Sequence, residues 1–367
     1  MRIAILGTRG IPANYGGFET FAEELSSRLA ARGHHVVVYC RQKHAAPVYL
    51  GVNLVYQPTI RHKYLDTLAH TFFSTWHLLF HRVDVALYCN AANAVFTILP
   101  RVAGIPVALN VDGIERKRKK WNRLAKSWYH LSEYLSTILP TTFVTDAQAI
   151  RLYYLEQYGK ESLFIPYGSD TKRFATCDVL RQLGLQPHRY FLYVSRMVPE
   201  NRALEVRLAY EPVATDIKLA LIGDAPYADE YIHQVRNTTD PRVVIPGAIY
   251  GTGYKELGSW CFAYIHATEV GGTHPALIEA MGRGCLVLYL DNSENREVAG
   301  DAGLPYHDQA GLTARIREVL AMTETERNAY RLKAVERVRE RYDWDVVTTQ
   351  YETLLEALAH AAPRPRR

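Results

Sequence analysis

Cysteine is scarce in this chain, and its cysteines are not arranged in pairs. Five occur in 367 residues, and none belongs to the Cys-x-x-Cys pattern typical of zinc and redox sites. An odd number of scattered cysteines within apolar segments is typical of small core residues in a reducing compartment. The sequence therefore predicts neither a metal site nor a disulfide framework.

Long uninterrupted apolar runs are also absent. The most apolar segment, residues 65–80, contains Asp66, His70 and His77, so we do not expect it to span a membrane. Arg9 and Pro12 come too early for the apolar region of a secretory signal peptide. We therefore expect a cytoplasmic protein. With 48% hydrophobic and 22% charged residues, the chain is long enough for two domains with proper cores.

A third absence is the Gly-x-Gly-x-x-Gly fingerprint of dinucleotide-binding proteins. The segment "AILGTRGIPANYGGFET", residues 4–20, predicts a strand, a glycine-rich loop and a helix start, an arrangement that commonly receives phosphate. Its glycines are spread over a longer loop than the fingerprint allows. Arg41 also stands after the strand "HVVVYC", where nicotinamide-dependent enzymes need an acidic residue. Such an oxidoreductase is therefore the weaker alternative.

Apolar strands alternate with helices along nearly the whole chain. This alternation predicts parallel sheets covered by helices, and it restarts after a polar link at residues 170–188. We therefore predict an α/β protein of two doubly wound, Rossmann-like domains, residues 1–168 and 169–342, with a final helix at about 343–360 joined to the first. Such sheets bind ligands at the carboxyl ends of their strands, here in a cleft between the domains.

One motif of the second domain predicts a nucleoside-diphosphate site. Gly272 and Thr273 precede a helix that begins near His274, where backbone N–H groups would meet a diphosphate. Glu279 on the same helix can accept hydrogen bonds from ribose hydroxyls. Arg196, after another strand, supplies the planar cation that suits phosphate oxygens.

The motifs "GTRGIPANYGGFET" and "EVGGTHPALIEAMG" resemble those of family-4 retaining glycosyltransferases, specifically a bacterial rhamnosyltransferase-like subgroup. The resemblance covers nearly the whole chain and implies the GT-B fold, in which two Rossmann-like domains face each other across the cleft. It further implies a nucleotide-sugar donor held mainly by the second domain, an acceptor held mainly by the first, and no metal ion or other cofactor.

The donor expected from the resemblance is dTDP-rhamnose, with UDP-glucose or another nucleotide hexose as the alternative. The acceptor would be a lipid-linked sugar in bacterial surface polysaccharide synthesis. A non-catalytic protein that binds nucleotide-sugars is a further alternative that the sequence leaves open.

The resemblance and the strand ends together nominate the site residues. Arg196 would stabilise the charge that develops on the diphosphate, and Glu269 would face the transferred sugar. These two and Asp112 are the catalytic candidates, and Asn93 and Asp112 are the acceptor candidates. The donor-binding candidates are Gly16, Gly17, Arg196, Arg202, Gly272, Thr273, His274 and Glu279.

A basic cluster follows Asp112. Residues 116–126 contain seven Lys or Arg with aromatic residues interleaved. The formal net charge is only +5 and no nucleic-acid module is recognisable, so we expect no nucleic-acid partner. A solvated helix face is one interpretation. The other is attachment to an anionic membrane, with the aromatic segment 64–80 as an interfacial face, which predicts a peripheral location at the inner face of the cell membrane. The predicted contacts are Arg116, Lys117, Arg118, Lys119 and Lys120.

Overall fold

The structure is a computed structural model that describes residues 1–13, 16–60, 62, 65–117, 122–225 and 228–361. The chain divides into two compact units, the first formed by residues 1–167 together with the segment from residue 344 onward, the second by residues 168–343. Each unit contains one largely parallel β-sheet whose strands alternate with helices. The predicted α/β class with two parallel-sheet domains is therefore confirmed.

The described part of residues 1–167 contains eight strands and five α-helices. In chain order they are β1 (Arg2–Leu6), α1 (Gly17–Ala31), β2 (His35–Cys40), β3 (Val48–Tyr49), β4 (Val52–Tyr56), α2 (Asp66–Leu79), β5 (Val85–Cys89), α3 (Ile98–Val102), β6 (Val107–Asn110), α4 (Arg123–Ser136), β7 (Thr142–Thr145), α5 (Gln148–Tyr158) and β8 (Leu163–Phe164). The strand order in the sheet is β3-β4-β2-β1-β5-β6-β7-β8. β3 pairs antiparallel with β4, and the other neighbours are parallel.

The remaining elements form the second unit, apart from the last helix. They are α6 (Asp178–Gln182), β9 (Tyr190–Val194), α7 (Ala203–Tyr210), β10 (Lys218–Ile222), α8 (Asp229–Arg236), β11 (Val243–Gly247), α9 (Gly251–Trp260), β12 (Ala263–His266), α10 (Pro275–Gly282), β13 (Val287–Leu290), α11 (Ser293–Ala299), β14 (Gly303–Tyr306), α12 (Gln309–Ala321), α13 (Glu324–Arg341) and α14 (Trp344–Ala361). The second sheet has the order β11-β10-β9-β12-β13-β14 and is parallel throughout.

The final helix, α14, belongs to the first unit. Its Tyr351 is fully buried, packs edge-on against Phe21 of α1 and accepts a hydrogen bond from Asn110 at the end of β6. Trp344, at the start of α14, also packs against Phe21. A stripe of apolar residues in the final segment therefore completes the core of a domain that begins more than 300 residues earlier.

Central strands of both sheets are continuous apolar runs. All five residues of β5 and all four of β12 and β13 are buried, as expected for parallel strands covered on both faces. Polar residues are consequently concentrated in the loops after the strands. In the described parts of the chain, no helix is long and apolar enough to cross a membrane.

The loop after β1 passes very close to the end of β5. Gly7 has a φ of 90°, and a Cβ atom there would lie 2.3 Å from the backbone oxygen of Cys89. Gly10, with a φ of 99°, would similarly place a Cβ 2.7 Å from the Cα atom of Cys40. Only glycine fits such positions, so these two residues bring the loop against the carboxyl ends of β2 and β5.

Candidate functional site

Two polar loops of the second unit meet at the carboxyl edge of its sheet. One follows β9 and carries Arg196 and Arg202; the other follows β12 and carries Glu269. Because β9 and β12 are neighbours, both loops leave the sheet side by side. The backbone N–H of Glu269 donates to the carbonyl of Glu200 at 2.9 Å, which joins the two loops directly.

Arg202 and Glu269 form an ion pair across these loops. Arg202 Nε donates to Glu269 Oε1 at 2.6 Å, and Nη2 donates to the same oxygen. Arg202 has a left-handed backbone conformation, with a φ of 56°. The charge of the Glu269 carboxylate is thus balanced within the unit, so Arg202 contributes little net positive charge to a ligand.

Arg196 has different surroundings. Its side chain is half-buried, and Asn201 Nδ2 donates to its backbone oxygen at 2.8 Å, which fixes the turn after β9. Among the described residues, the Arg196 guanidinium has no carboxylate partner. Arg196 is therefore the cation of this loop that can neutralise an incoming anion.

The loop between β12 and α10 is buried and tightly packed. Residues 271–274 are all buried, and a Cβ on Gly271 would lie 2.4 Å from His274 Nε2. His274 is the N-cap of α10 with extended backbone, and Pro275 is the first helical residue. The N-cap residue makes no side-chain capping hydrogen bond within the described structure. Pro275 has no N–H, and the N–H groups of Leu277 and Ile278 donate to the carbonyl of His274 at 3.0 and 3.3 Å. The amides suited to an anion here are therefore those of the loop and of Ala276.

Asn295 holds this loop in place from the first turn of α11. Its fully buried side chain donates to the carbonyls of Thr268, at 3.0 Å, and Leu290, at 2.8 Å, and its Oδ1 lies 2.5 Å from His274 Nδ1. Asn292 also donates to Thr268, at 3.1 Å. Sequence reasoning missed both asparagines, although "DNSEN" follows β13 at the same sheet edge.

The ring of His274 also lies beside a second buried histidine. The ring centroids of His266 and His274 are 5.0 Å apart. Burial, and secondarily the proximity of His274, holds the pKa of His266 well below its usual range. His266 is therefore neutral at pH 7 and adds no charge to the site.

Glu279, on α10, is held by residues of its own unit. Its Oε2 lies 3.6 Å from Arg283 Nη2, and the Arg283 guanidinium stacks over Tyr254 at 4.7 Å from the ring centroid. Burial acts to lower the pKa of Arg283, but Tyr254 and Glu279 outweigh it and raise that pKa above the usual value. Arg283 is thus a charged positioning residue that sequence reasoning did not identify.

In the first unit, the predicted phosphate-contacting glycines lie at the start of α1. Gly16 is its N-cap and Gly17 its first residue. Glu19, also in the first turn, is buried and accepts a hydrogen bond from the backbone N–H of Arg9 at 3.0 Å. Burial raises the pKa of Glu19. Asn14 and Tyr15 of the same loop lie outside the described residues.

The acceptor candidates lie at the carboxyl edge of the first sheet. Asn93 is fully buried and donates from Nδ2 to the carbonyl of Cys89 at 2.8 Å. Its Oδ1 has no hydrogen-bond partner in the described part of the chain. Asp112 follows β6 with a φ of 61°, and its N–H donates to Asn110 Oδ1 at 3.0 Å. Since β5 and β6 are neighbours, the two candidates share one edge.

The basic cluster is described only in part. Arg116 Nε donates to both carboxylate oxygens of the buried Glu133, at 3.1 Å, and Nη2 donates to Tyr153 at 2.5 Å. Lys117 Nζ lies 5.8 Å from the centroid of the Tyr153 ring. Arg116 is therefore fixed by internal contacts. The other predicted membrane residues, Arg118, Lys119 and Lys120, lie outside the described residues.

Each unit of the chain matches a glycosyltransferase family model. Residues 15–173 match Glycosyltransferase Family 4, and residues 202–353 match the Glycosyl transferase-like family. A comparison with curated protein sequences gave no match.

Solved structures show the same fold over the whole chain. Sucrose-phosphate synthase (tll1590) from Thermosynechococcus elongatus has a TM-score of 0.80 and 19% identity, covering 98% of this chain and 100% of that chain. Alr3699/HepE from Anabaena, in complex with UDP-glucose, has a TM-score of 0.78 and 18% identity, covering 98% of this chain and 100% of that chain. WaaG, a glycosyltransferase involved in lipopolysaccharide biosynthesis, has a TM-score of 0.74 and 16% identity, covering 97% of this chain and 99% of that chain.

The chain therefore has the fold of the GT-B glycosyltransferases. Glycosyltransferase family models match segments in both of its units, and the family 4 model matches residues 15–173.

Replacing Asn295 with Asp tests how the loop before α10 is held. The new carboxylate has the same size but faces the carbonyl oxygens of Thr268 and Leu290, to which Asn295 now donates. We expect a loss of about 3 kcal/mol or more in the free energy of unfolding, measured by chemical denaturation at pH 7.

Asn328→Asp is the matched control for this substitution. Asn328 is an exposed asparagine on α13 of the same unit, so its new carboxylate stays in water. A cost of about 1 kcal/mol or less is expected there. Equal costs for the two variants would show that the Asn295 hydrogen bonds do not hold the loop.

Proposed function

We propose that the protein is a retaining hexosyltransferase that transfers a sugar from a nucleoside-diphosphate donor to a lipid-linked sugar. The second unit binds the donor, and the first unit supplies acceptor contacts through Asn93 and Asp112. The observation that supports the donor site is that Arg196 and the start of α10 follow neighbouring strands, β9 and β12, at one sheet edge. The Arg196 guanidinium has no carboxylate partner among the described residues.

The electrostatics of this edge suit a diphosphate leaving group. When the bond between the anomeric carbon and the phosphate oxygen breaks, negative charge builds up on the diphosphate. Arg196, the amides of the loop before α10 and the positive end of the helix dipole stabilise that charge. They act without a metal ion in this proposal. Gly272 and Thr273 let the backbone approach the phosphates, and Glu279, oriented by Arg283, accepts hydrogen bonds from the ribose.

The configuration at the anomeric carbon is retained if the acceptor hydroxyl attacks that carbon on the face from which the diphosphate departs. The bond from the acceptor oxygen to the anomeric carbon then forms as the carbon–phosphate oxygen bond breaks, and the hydroxyl proton passes to a phosphate oxygen. Glu269, held by Arg202, contacts the sugar hydroxyls, and Asp112 orients the acceptor. This route uses no protein nucleophile, and it needs no general acid because the departing nucleoside diphosphate is a stable anion.

Two donors are proposed in order of preference. The motif resemblance favours dTDP-rhamnose. UDP-glucose is second, and its support is that HepE, which shares the fold, forms complexes with UDP and with UDP-glucose. A lipid-linked acceptor puts the reaction at the cytoplasmic face of the membrane in this proposal. Arg116, Lys117, Arg118, Lys119 and Lys120 would contact anionic lipids there.

Substitution of Arg196 tests the donor site without knowledge of the acceptor. We expect calorimetry in EDTA to show binding of dTDP or UDP to the native chain. Arg196→Ala removes the charged hydrogen bonds to phosphate and should weaken the better ligand by about 1.5–3 kcal/mol, or roughly 10- to 150-fold.

Arg236→Ala is the matched control, because Arg236 is an exposed arginine on α8 of the same unit. This variant loses the same formal charge and should bind as the native chain does. Binding lost in EDTA, or equal weakening in both variants, would contradict a metal-free site at Arg196.

Turnover with a donor panel tests the sugar assignment. We expect the enzyme to release dTDP from dTDP-rhamnose, and to transfer the labelled sugar to a lipid extract, faster than it uses UDP-glucose. Transfer from UDP-glucose alone would reverse the order of the two donors. Tight binding of nucleotide-sugars with no transfer or hydrolysis of any donor would favour the non-catalytic alternative.

A further inference from the structure

Helix α2 is oriented with its polar face inward. Four polar side chains of α2 are completely buried: His70, Thr71, Ser74 and Thr75. Its aromatic side chains are exposed instead: Phe72 (44%), Phe73 (38%), Trp76 (55%) and Phe80 (71%), which follows the last helical residue. A surface helix of a water-soluble domain normally shows the opposite arrangement.

Two hydrogen bonds support this orientation of α2, although polar atoms of His70, Thr71 and Ser74 have no hydrogen-bond partner among the described residues. Thr75 and Tyr88 of β5 are joined at 2.8 Å, and the Tyr39 hydroxyl of β2 lies 3.1 Å from His77 Nδ1. Burial, with a smaller effect from the nearby Arg41 charge, lowers the pKa of His70 to about 4, so the buried ring is neutral at pH 7. Rotating the aromatic face inward would break these bonds, and the exposed face is therefore a fixed property of the helix.

The exposed apolar surface continues beyond α2. Helix α3 contacts α2 and exposes Leu99 (39%) and Val102 (82%). Arg101 of α3 donates to the carbonyls of Ile138 and Leu139, each at 3.0 Å, which ties α3 to the end of α4. Exposed apolar side chains of that end are Leu131, Tyr134 and Ile138. We call this continuous surface of α2, α3 and the end of α4 the outer apolar face.

The outer apolar face has a basic edge. A groove of about 550 Å³ beside α4 is lined by Arg116, Lys126, Ser127, His130, Leu131 and Tyr134. The acidic residues of α2, α3 and α4 are Asp66 and Glu133. Asp66 is paired with Arg41 at 2.7 Å, and Glu133 with Arg116 at 3.1 Å. The described helices of this face thus present cations but no unpaired carboxylate.

We propose that the outer apolar face inserts its aromatic side chains into the interfacial layer of an anionic bilayer, with the basic groove at the level of the lipid phosphates. This inference rests on the membrane-linked acceptor of the proposed function and identifies the surface that makes the contact. Aromatic residues prefer the membrane interface, and basic residues beside an apolar helix face add attraction to anionic lipid.

The charge distribution favours lipid over a second copy of this chain. A symmetric dimer formed through the outer apolar face would place this face against its own copy. The basic grooves of the two copies would then approach each other, with no unpaired carboxylate on the described helices to offset their repulsion. An anionic bilayer complements both the apolar centre and the basic edge.

Vesicle sedimentation with paired variants tests the proposal. The full chain is mixed with vesicles of phosphatidylglycerol and phosphatidylcholine, or of phosphatidylcholine alone, at about 0.1 M and about 0.5 M salt, over which charge attraction is progressively screened. Trp76→Ser with Phe80→Ser removes two exposed aromatics. Arg123→Ser with Lys126→Ser removes two exposed cations. Leu332→Ser, at an equally exposed leucine of α13 (63%), is the control.

The aromatic variant should bind anionic vesicles at least tenfold more weakly than the native chain at both salt concentrations. The basic variant should be weaker at low salt and close to the native chain at high salt, and Leu332→Ser should match the native chain throughout. Size-exclusion chromatography should show the same oligomeric state for the native chain and for all variants. Hydrolysis of the nucleotide-sugar in solution should be unchanged in the aromatic variant, which shows that it folds.

Native-like vesicle binding by the aromatic variant would overturn the inference while leaving the glycosyltransferase function intact. A native dimer that the aromatic variant converts to a monomer would also overturn it, because the face would then bind a second copy. Loss of vesicle binding only in the basic variant would show that charge attraction alone binds the membrane, which contradicts insertion of the aromatic side chains. Absence of nucleotide-sugar turnover in every protein, with vesicle binding as expected, would instead count against the proposed function.

Discussion

The buried side chain of Asn295 holds the loop that forms the candidate donor site. It donates to two backbone carbonyls, one in the loop and one at the end of β13, and contacts His274 at the start of α10. These bonds connect two strand ends and one helix start. Because α10 begins directly after His274, the position of its first N–H groups depends on this one amide.

The distribution of charge around that loop follows from local pairing. Glu269 and Arg202 neutralise each other, and Glu279 is held beside Arg283, which Tyr254 covers. Arg196 is the cation of these loops whose guanidinium has no carboxylate partner among the described residues. A diphosphate brought to this edge meets one uncompensated guanidinium and one helix start, which is the electrostatic requirement for its departure as a leaving group.

Much of this arrangement could be predicted from the sequence. Continuous apolar runs identified the strands, and Pro275 marked the start of α10, because both signals are local. Asn295 could not be found this way, since its hydrogen-bond partners lie on other elements. Arg283 directly follows the motif that ends at Gly282 and lies four residues after Glu279, but its contact with Tyr254 of α9 has no signal in the sequence. The ion pair of Arg202 with Glu269 joins residues 67 positions apart, so sequence spacing gave no sign that their charges cancel.

Helix α2 shows a second limit of sequence reasoning. The pattern of residues 65–80 indicated a helix with an aromatic face, and the helix Asp66–Leu79 is present. Its polar residues are Ser, Thr and His, whose side chains can be buried when they bond to neighbours such as Tyr88. Periodicity gives the two faces of such a helix but not which of them packs against the sheet. That choice depends on the tyrosines of β2 and β5.

Hydrogen–deuterium exchange with and without saturating dTDP or UDP tests the central claim most directly. The account predicts that the bound nucleotide slows exchange in residues 271–276, because the amides of the loop and of Ala276 then donate to phosphate. Asn295→Asp should reduce this protection. Nucleotide binding that leaves exchange in residues 271–276 unchanged, while protecting other segments, would contradict a donor site built on Arg196 and the start of α10.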